Sequence, residues 1–276
     1  MVDFNMLYKD TDWKDDPNGP DDFTILMPGN RGWFNSLLST AGGTDKKPTV
    51  LLLHGFPGNE KNLDLMQAIR RCGFNVLTMN YSGSWGSPGP FLFANVIDDT
   101  KTALQFLKDN AEEYHIDVDN IFVVGHSMGG FSTLHTTAQC DGIKGSIAMA
   151  PYDFERQYQL GKENGGEDWT NIHELIEGGV MQLNTDYDTL MKELEDNPGY
   201  ALDTLAGTLA KKPLMIIGAE YDVCAVVKNH GEYLAGCIEK CNPDDFEYLS
   251  IPSTHSFVDK RLLLAETVIK KLISWV

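Results

Sequence analysis

Six short apolar runs recur along this chain, and helical stretches stand between most of them. They are "TVLLLHG" (Thr49–Gly55), "FNVLTMN" (Phe74–Asn80), "IFVVG" (Ile121–Gly125), "KGSIAMA" (Lys144–Ala150), "PLMIIG" (Pro213–Gly218) and "FEYLSI" (Phe246–Ile251). A run that is apolar at consecutive positions suits a strand covered on both faces, since alternate side chains then meet protein on each side. Between the runs, Asn59 can cap a helix to Arg71, with Leu63, Met66 and Ile69 or Arg70 at helical spacing. Val96, Thr100, Leu104 and Leu107 mark a second helix ending near Tyr114. Ser127 to about Gln139 forms a third, and a last amphipathic helix runs from about Val258 to Trp275. This alternation predicts βαβ crossovers and a mostly parallel sheet. Two further strands, Phe23–Met27 and Trp33–Leu38, flank "PGNRG" and predict an antiparallel hairpin, so the sheet should hold eight strands.

A chain of 276 residues suits one large α/β domain with an insertion. Between Ala150 and Lys211 no strand appears. Helical pieces fall around Asn171–Ile176 and Thr185–Glu195, separated by Gly165, Gly166, Gly178, Gly179 and the pair Pro198–Gly199. About sixty residues is too long for a bare loop in a compact domain. The expected organisation is a core of residues 1–150 and 211–276, its first twenty residues a polar arm, with residues 151–210 as a helical cap over the carboxyl ends of the strands.

Composition narrows the function. The formal net charge is -18, from 40 acidic and 22 basic residues. That balance argues against nucleic acid, whose phosphates need clustered Lys and Arg, and against anionic membranes. No run of about 18 apolar residues could span a bilayer. The acidic N-terminus lacks the apolar region of a secretory signal, so the expected location is cytoplasmic. The five cysteines are scattered and odd in number, which predicts free thiols in a reducing compartment. Cys237 and Cys241 would share a helix face, but no further ligands lie nearby, so no metal is expected.

The chemistry concentrates in "VVGHSMGGFS". Gly125-His126-Ser127-Met128-Gly129 fits G-x-S-x-G, placed between an apolar run and a helix. A nucleophile elbow needs that context, and small residues two before and two after the serine, because the serine sits in a strained turn. A serine hydroxyl needs a base. Of seven histidines, His255 stands out, four residues past the sixth run at the carboxyl edge where open α/β sheets bind ligands. The base needs an acid. "IIGAEYDVCA" offers Asp222, deeper in the turn, and Glu220 as the alternative. The oxyanion of a tetrahedral intermediate would be held by the amides of Met128 and of Phe56, in "HGFPGN" after the first run.

In this combination the chain resembles the α/β-hydrolase superfamily of serine hydrolases, from about Phe23 to Val276. "NYSGSWGSPG" (Asn80–Gly89) is similar to a loop of bacterial esterases and of prolyl oligopeptidase-like catalytic domains. Cinnamoyl and feruloyl esterases with a short helical cap are also similar. Members often carry Pro shortly after the acid, where this chain reads Val223-Cys224-Ala225. The resemblance implies a Ser127–Asp222–His255 triad that needs no cofactor. Tyr81, Trp85, Tyr152 and Trp169 are the expected pocket residues.

The leading reading is a hydrolase of small or medium carboxylic esters, with a small-molecule partner and a Ser127 acyl-enzyme. The alternative is a small serine peptidase or amidase of the prolyl oligopeptidase-like type, although only about twenty residues stand where such enzymes carry a propeller. A third reading is a binding protein that has lost turnover. The sequence carries no signal for oligomeric state.

Overall fold

The computed structural model describes residues 2–10, 12–13, 17–196 and 199–276. Part of the N-terminal arm, and Pro198 of the expected Pro198–Gly199 break, lie outside them.

Eight strands form one sheet in the order β1-β2-β4-β3-β5-β6-β7-β8. β1 (Asp21–Gly29) and β2 (Gly32–Thr40) are the expected hairpin, closed by Asn30-Arg31 with Gly29 opposite Gly32. β3 (Lys47–Leu53), β4 (Asn75–Met79), β5 (Ile116–His126), β6 (Gly145–Met149), β7 (Leu214–Ala219) and β8 (Phe246–Ile251) are mutually parallel, and β2 joins β4 antiparallel.

Burial on both faces explains the continuous apolar runs. Val50 and Leu52 turn to one face, where α1 (Leu63–Arg71) and α9 (Arg261–Trp275) pack Met66, Ile69, Leu264 and Val268. Leu51 and Leu53 turn to the other, against α2 (Phe93–Asp109), α3 (Met128–Gln139) and α8 (Gly231–Glu239). Each fully buried Leu contributes about 1.5–3 kcal/mol of transfer free energy. The two faces together enforce a strand register that a one-residue slip would not change in sign but would unpack.

β3 lies between β4 and β5, so the chain leaves it in one direction and later returns to its other side. That reversal sets the carboxyl ends of β3 and β5 side by side, the position at which open α/β sheets bind ligands.

Several helix ends differ from expectation, α9 starting at Arg261 rather than near Val258. α1 starts at Leu63 rather than Asn59, because Asn62 is left-handed (φ 55) and the preceding residues continue the loop after β3. α2 stops at Asp109, five residues short of Tyr114, where the Asn110 side chain caps the Phe106 carbonyl.

Between β6 and β7 stand α4 (Phe154–Asn164), α5 (Gly166–Gly179), α6 (Tyr187–Asp196) and the short α7 (Ala206–Leu209). α5 and α6 cover the two helical pieces expected there, while α4 carried too little apolar periodicity to be seen. Buried carboxylates fasten this segment. Glu193 accepts the N–H groups of Phe93 and Ala94 at 2.8 and 2.7 Å, closing the open amino end of α2. Glu155 accepts those of Tyr200 and Ala201, and Asp153 caps α4 through Arg156 while also accepting from Leu202.

Candidate active site

Ser127 occupies the turn from β5 into α3. Its φ of 57° and ψ of -116° are strained for a side chain-bearing residue. Its flanking glycines permit the turn. A Cβ on Gly125 would stand 2.1 Å from the Gly129 carbonyl oxygen, and one on Gly129 would stand 2.3 Å from that of Leu53. Ser127 N–H donates to Met149 O at 2.9 Å, which ties the elbow to β6. Among the described residues the Ser127 hydroxyl takes part in no hydrogen bond. Contacts of this kind are often loose before substrate binds.

His255 follows β8, and its Nδ1 meets Asp222 Oδ2 at 2.6 Å. The Asp222 carboxylate is wholly buried, and its Oδ1 accepts the N–H groups of Cys224 and Ala225, each at 2.8 Å. Burial alone would raise its pKa. The His255 hydrogen bond, the His255 charge and the two amides outweigh burial and hold it below the ordinary carboxylate value. Glu220 is exposed and has only its backbone in the site's vicinity, donating N–H to Ile251 O. Asp222, not Glu220, therefore meets the histidine. The missing proline also has a physical reason, since Pro at 224 or 225 would delete one of the donors to Asp222.

Phe56 and Met128 bring their amides to the same edge, one after β3 and the other at the first turn of α3. Among the described residues neither N–H has an acceptor. Buried amides are seldom left unpaired, and a helix amino end favours negative charge. The Phe56 ring packs beside Phe91, Phe93 and Phe154, at centroid distances of 5.7, 6.1 and 6.5 Å. α5 comes so close that a Cβ on Gly179 would lie 1.9 Å from that ring.

Two histidines near Ser127 are fixed and neutral. His126 donates Nε2–H to the His255 carbonyl at 2.8 Å, and burial, then the His255 charge, push its pKa down to about 3. His54 donates Nδ1–H to Gly55 O at 2.7 Å, and burial lowers its pKa to about 4. The tie from His126 to His255 was missed in the sequence because 129 positions separate them.

The four expected pocket residues divide. Tyr81 and Tyr152 are fully buried, which corrects their assignment: each is walled in by protein and faces no open space. Tyr81 donates its hydroxyl to the His54 carbonyl, and Tyr152 stacks on His230. Trp85 is 37% exposed and donates Nε1–H to Pro57 O at 2.7 Å, beside the Phe56 loop. Trp169 is half-buried, between Tyr158 and His173.

A cavity of about 810 Å³ lies at the opposite, amino-terminal edge of the sheet, lined by Lys47, Arg71 and Asp22 among others, and is remote from Ser127. A smaller one of about 190 Å³, lined by His54, Lys61 and Asn80, adjoins the Phe56 loop. Among the described residues no cluster of His, Cys, Asp or Glu could hold a metal, and no helix is long and apolar enough to cross a membrane.

Solved structures decide the fold. The metagenomic carboxylesterase EstE1 superimposes with a TM-score of 0.68 over 92% of this chain and 89% of its own, at 17% identity. The esterase Pf2001 of Pyrococcus furiosus gives a TM-score of 0.68 over 97% and 95%, at 18% identity. The chain has the α/β-hydrolase fold. Within the chain, residues 37–164 match the BD-FAE family model. Acylamino-acid-releasing enzyme 1 of Oryza sativa subsp. japonica is 33% identical over 131 residues, 42% of this chain. That match spans 16% of the rice enzyme's length.

Proposed function

We propose that this protein is a serine hydrolase that cleaves small or medium carboxylic esters through an acyl-enzyme on Ser127. The observation that carries the reading is the 2.6 Å Asp222–His255 contact at the sheet edge that also holds the strained Ser127 turn. His255 Nε2 takes the Ser127 proton as Oγ attacks the ester carbonyl. The oxyanion forms hydrogen bonds to the Phe56 and Met128 N–H groups, each such donor being worth about 10²–10³ in turnover. His255 then protonates the departing alcohol. Water, activated by the same ring, releases the acid. Asp222 holds the ring's orientation and stabilises its charged form. No cofactor takes part.

Residues 151–210 act as a cap in this reading. Contact between Gly179 and the Phe56 ring supports that role. Trp85 is exposed beside the Phe56 loop, and Trp169 belongs to the cap segment. Five free cysteines fit a reducing cytoplasm. A peptidase or amidase is the second reading, favoured by the match to acylamino-acid-releasing enzymes.

Purified protein assayed on p-nitrophenyl esters of rising chain length, methyl ferulate and aminoacyl amides separates the two. Ester turnover should dominate. Ser127→Ala should abolish turnover and fluorophosphonate labelling while circular dichroism stays unchanged. A wild-type protein that takes no label at Ser127 would refute the acyl-enzyme.

A further inference from the structure

Asp222 Oδ1 is held by the N–H groups of Cys224 and Ala225. The carbonyls on the other side of those same two peptide groups belong to Val223 and Cys224. Both accept from one side-chain amide in the inserted helices: Asn171 Nδ2 donates to Val223 O at 3.1 Å and to Cys224 O at 2.9 Å. Asn171 thus grips, from behind, both peptides that grip the acid. Its own orientation is fixed. Oδ1 accepts the Tyr152 hydroxyl at 2.7 Å, and a flipped amide would oppose its oxygen to two carbonyl oxygens. Tyr152 is itself immobilised, fully buried, stacked on His230 at 4.6 Å, and donating its N–H to the Ser127 carbonyl at 3.3 Å.

We propose that Asn171, on α5, is a positioning residue for the reaction: its amide clamps and polarises the two peptides that hold Asp222, and so places Asp222 against His255. The proposal rests on the acyl-enzyme reading. Three observations carry it. The two bonds run to consecutive peptides, as one NH₂ group with two hydrogens can. Hydrogen bonds in series through a peptide strengthen one another, most so at Cys224, whose bond is the part-buried one of the two while Val223 is exposed. The clamp also comes from a part of the chain remote in sequence from the loop it holds, so it fixes a loop that carries no regular secondary structure of its own. Displacement of Asp222 by about 1 Å would misplace His255 and cost about 10²-fold in turnover.

The test uses Asn171→Ala, Asn171→Asp and Tyr152→Phe in the full chain. Turnover of p-nitrophenyl acetate is measured together with the far-downfield proton resonance of the His255 Nδ1–H shared with Asp222. Asn171→Ala should lower kcat about 10- to 100-fold with KM nearly unchanged, and should move or broaden that resonance. Asn171→Asp should be worse, since a carboxylate facing two carbonyls repels them. Tyr152→Phe, which keeps the ring on His230 and frees only the Asn171 amide, should show a smaller loss in the same direction. A merely structural role would lower thermal stability and leave kcat and the resonance as in the wild type. A folded Asn171→Ala with both unchanged overturns the proposal. If Asn171→Ala does not fold, Tyr152→Phe decides by the same two readouts. Should the wild type turn over no ester yet lose the resonance on Asn171→Ala, the acyl-enzyme reading fails and the clamp stands.

Discussion

Lowering the pH from 7 to 5 should destabilise this protein by about 4 kcal/mol, through histidines buried in their neutral form. Burial lowers the pKa of His54 and His135 to about 4 and that of His126 and His230 to about 3, from an ordinary 6.5. The unfolded chain protonates these rings as pH falls through 6.5, and the folded chain does not. The unfolded state therefore binds more protons, and stability is lost on acidification at about 2 kcal/mol per ring between pH 7 and pH 5. Two buried carboxyls oppose this. Burial raises Asp153 to about 7 and Asp99 to about 6, so the folded state keeps protons that the unfolded state releases above 3.8. Together they return about 4 kcal/mol over the same interval, half of what the four rings lose. Denaturant unfolding at pH 7, 6 and 5 gives the slope directly. His135→Gln supplies the control. His135 lies on α3 and donates Nε2–H to Tyr200 O at 3.1 Å, a bond that the Gln amide can keep without titrating. That variant should lose about 2 kcal/mol less than the wild type between pH 7 and 5. Stability that is flat or higher at pH 5 would refute the reasoning, and so would an unchanged slope in His135→Gln.

Gly179→Ala should lower kcat by about 10-fold or more, because its Cβ would lie 1.9 Å from the Phe56 ring and must shift the loop that presents the Phe56 amide; steady-state kinetics on a short ester checks it. Glu193→Ala should cost about 1–3 kcal/mol in denaturant unfolding, since the amides of Phe93 and Ala94 at the head of α2 lose their buried acceptor.

The strands were legible because a doubly covered strand writes its burial at every position, as in "TVLLLHG". Ser127 was legible because its turn imposes glycine at 125 and 129. The Phe154–Asn164 helix was not, because tertiary partners bury polar members of it, Glu155 and Gln157. A periodicity of apolar residues cannot register a buried Glu155 that accepts two distant amides. The late start of α1 was hidden in the same way, since the left-handed Asn62 serves the loop after β3 rather than a helix cap.

Tyr81 and Tyr152 show the limit in the other direction. Aromatic residues near the elbow serine read as pocket walls, but full burial makes Tyr81 a prop for His54 and Tyr152 a prop for Asn171. By itself the sequence determined the alternation of strands and helices and the glycine-flanked turn at Ser127, because each is imposed by neighbours along the chain. Only the tertiary structure decided that Asp222 rather than Glu220 meets His255, that His126 holds the His255 backbone and that Asn171 reaches the acid loop. Those are contacts between residues many positions apart, and no local pattern of charge or hydrophobicity encodes which of two nearby carboxylates points inward.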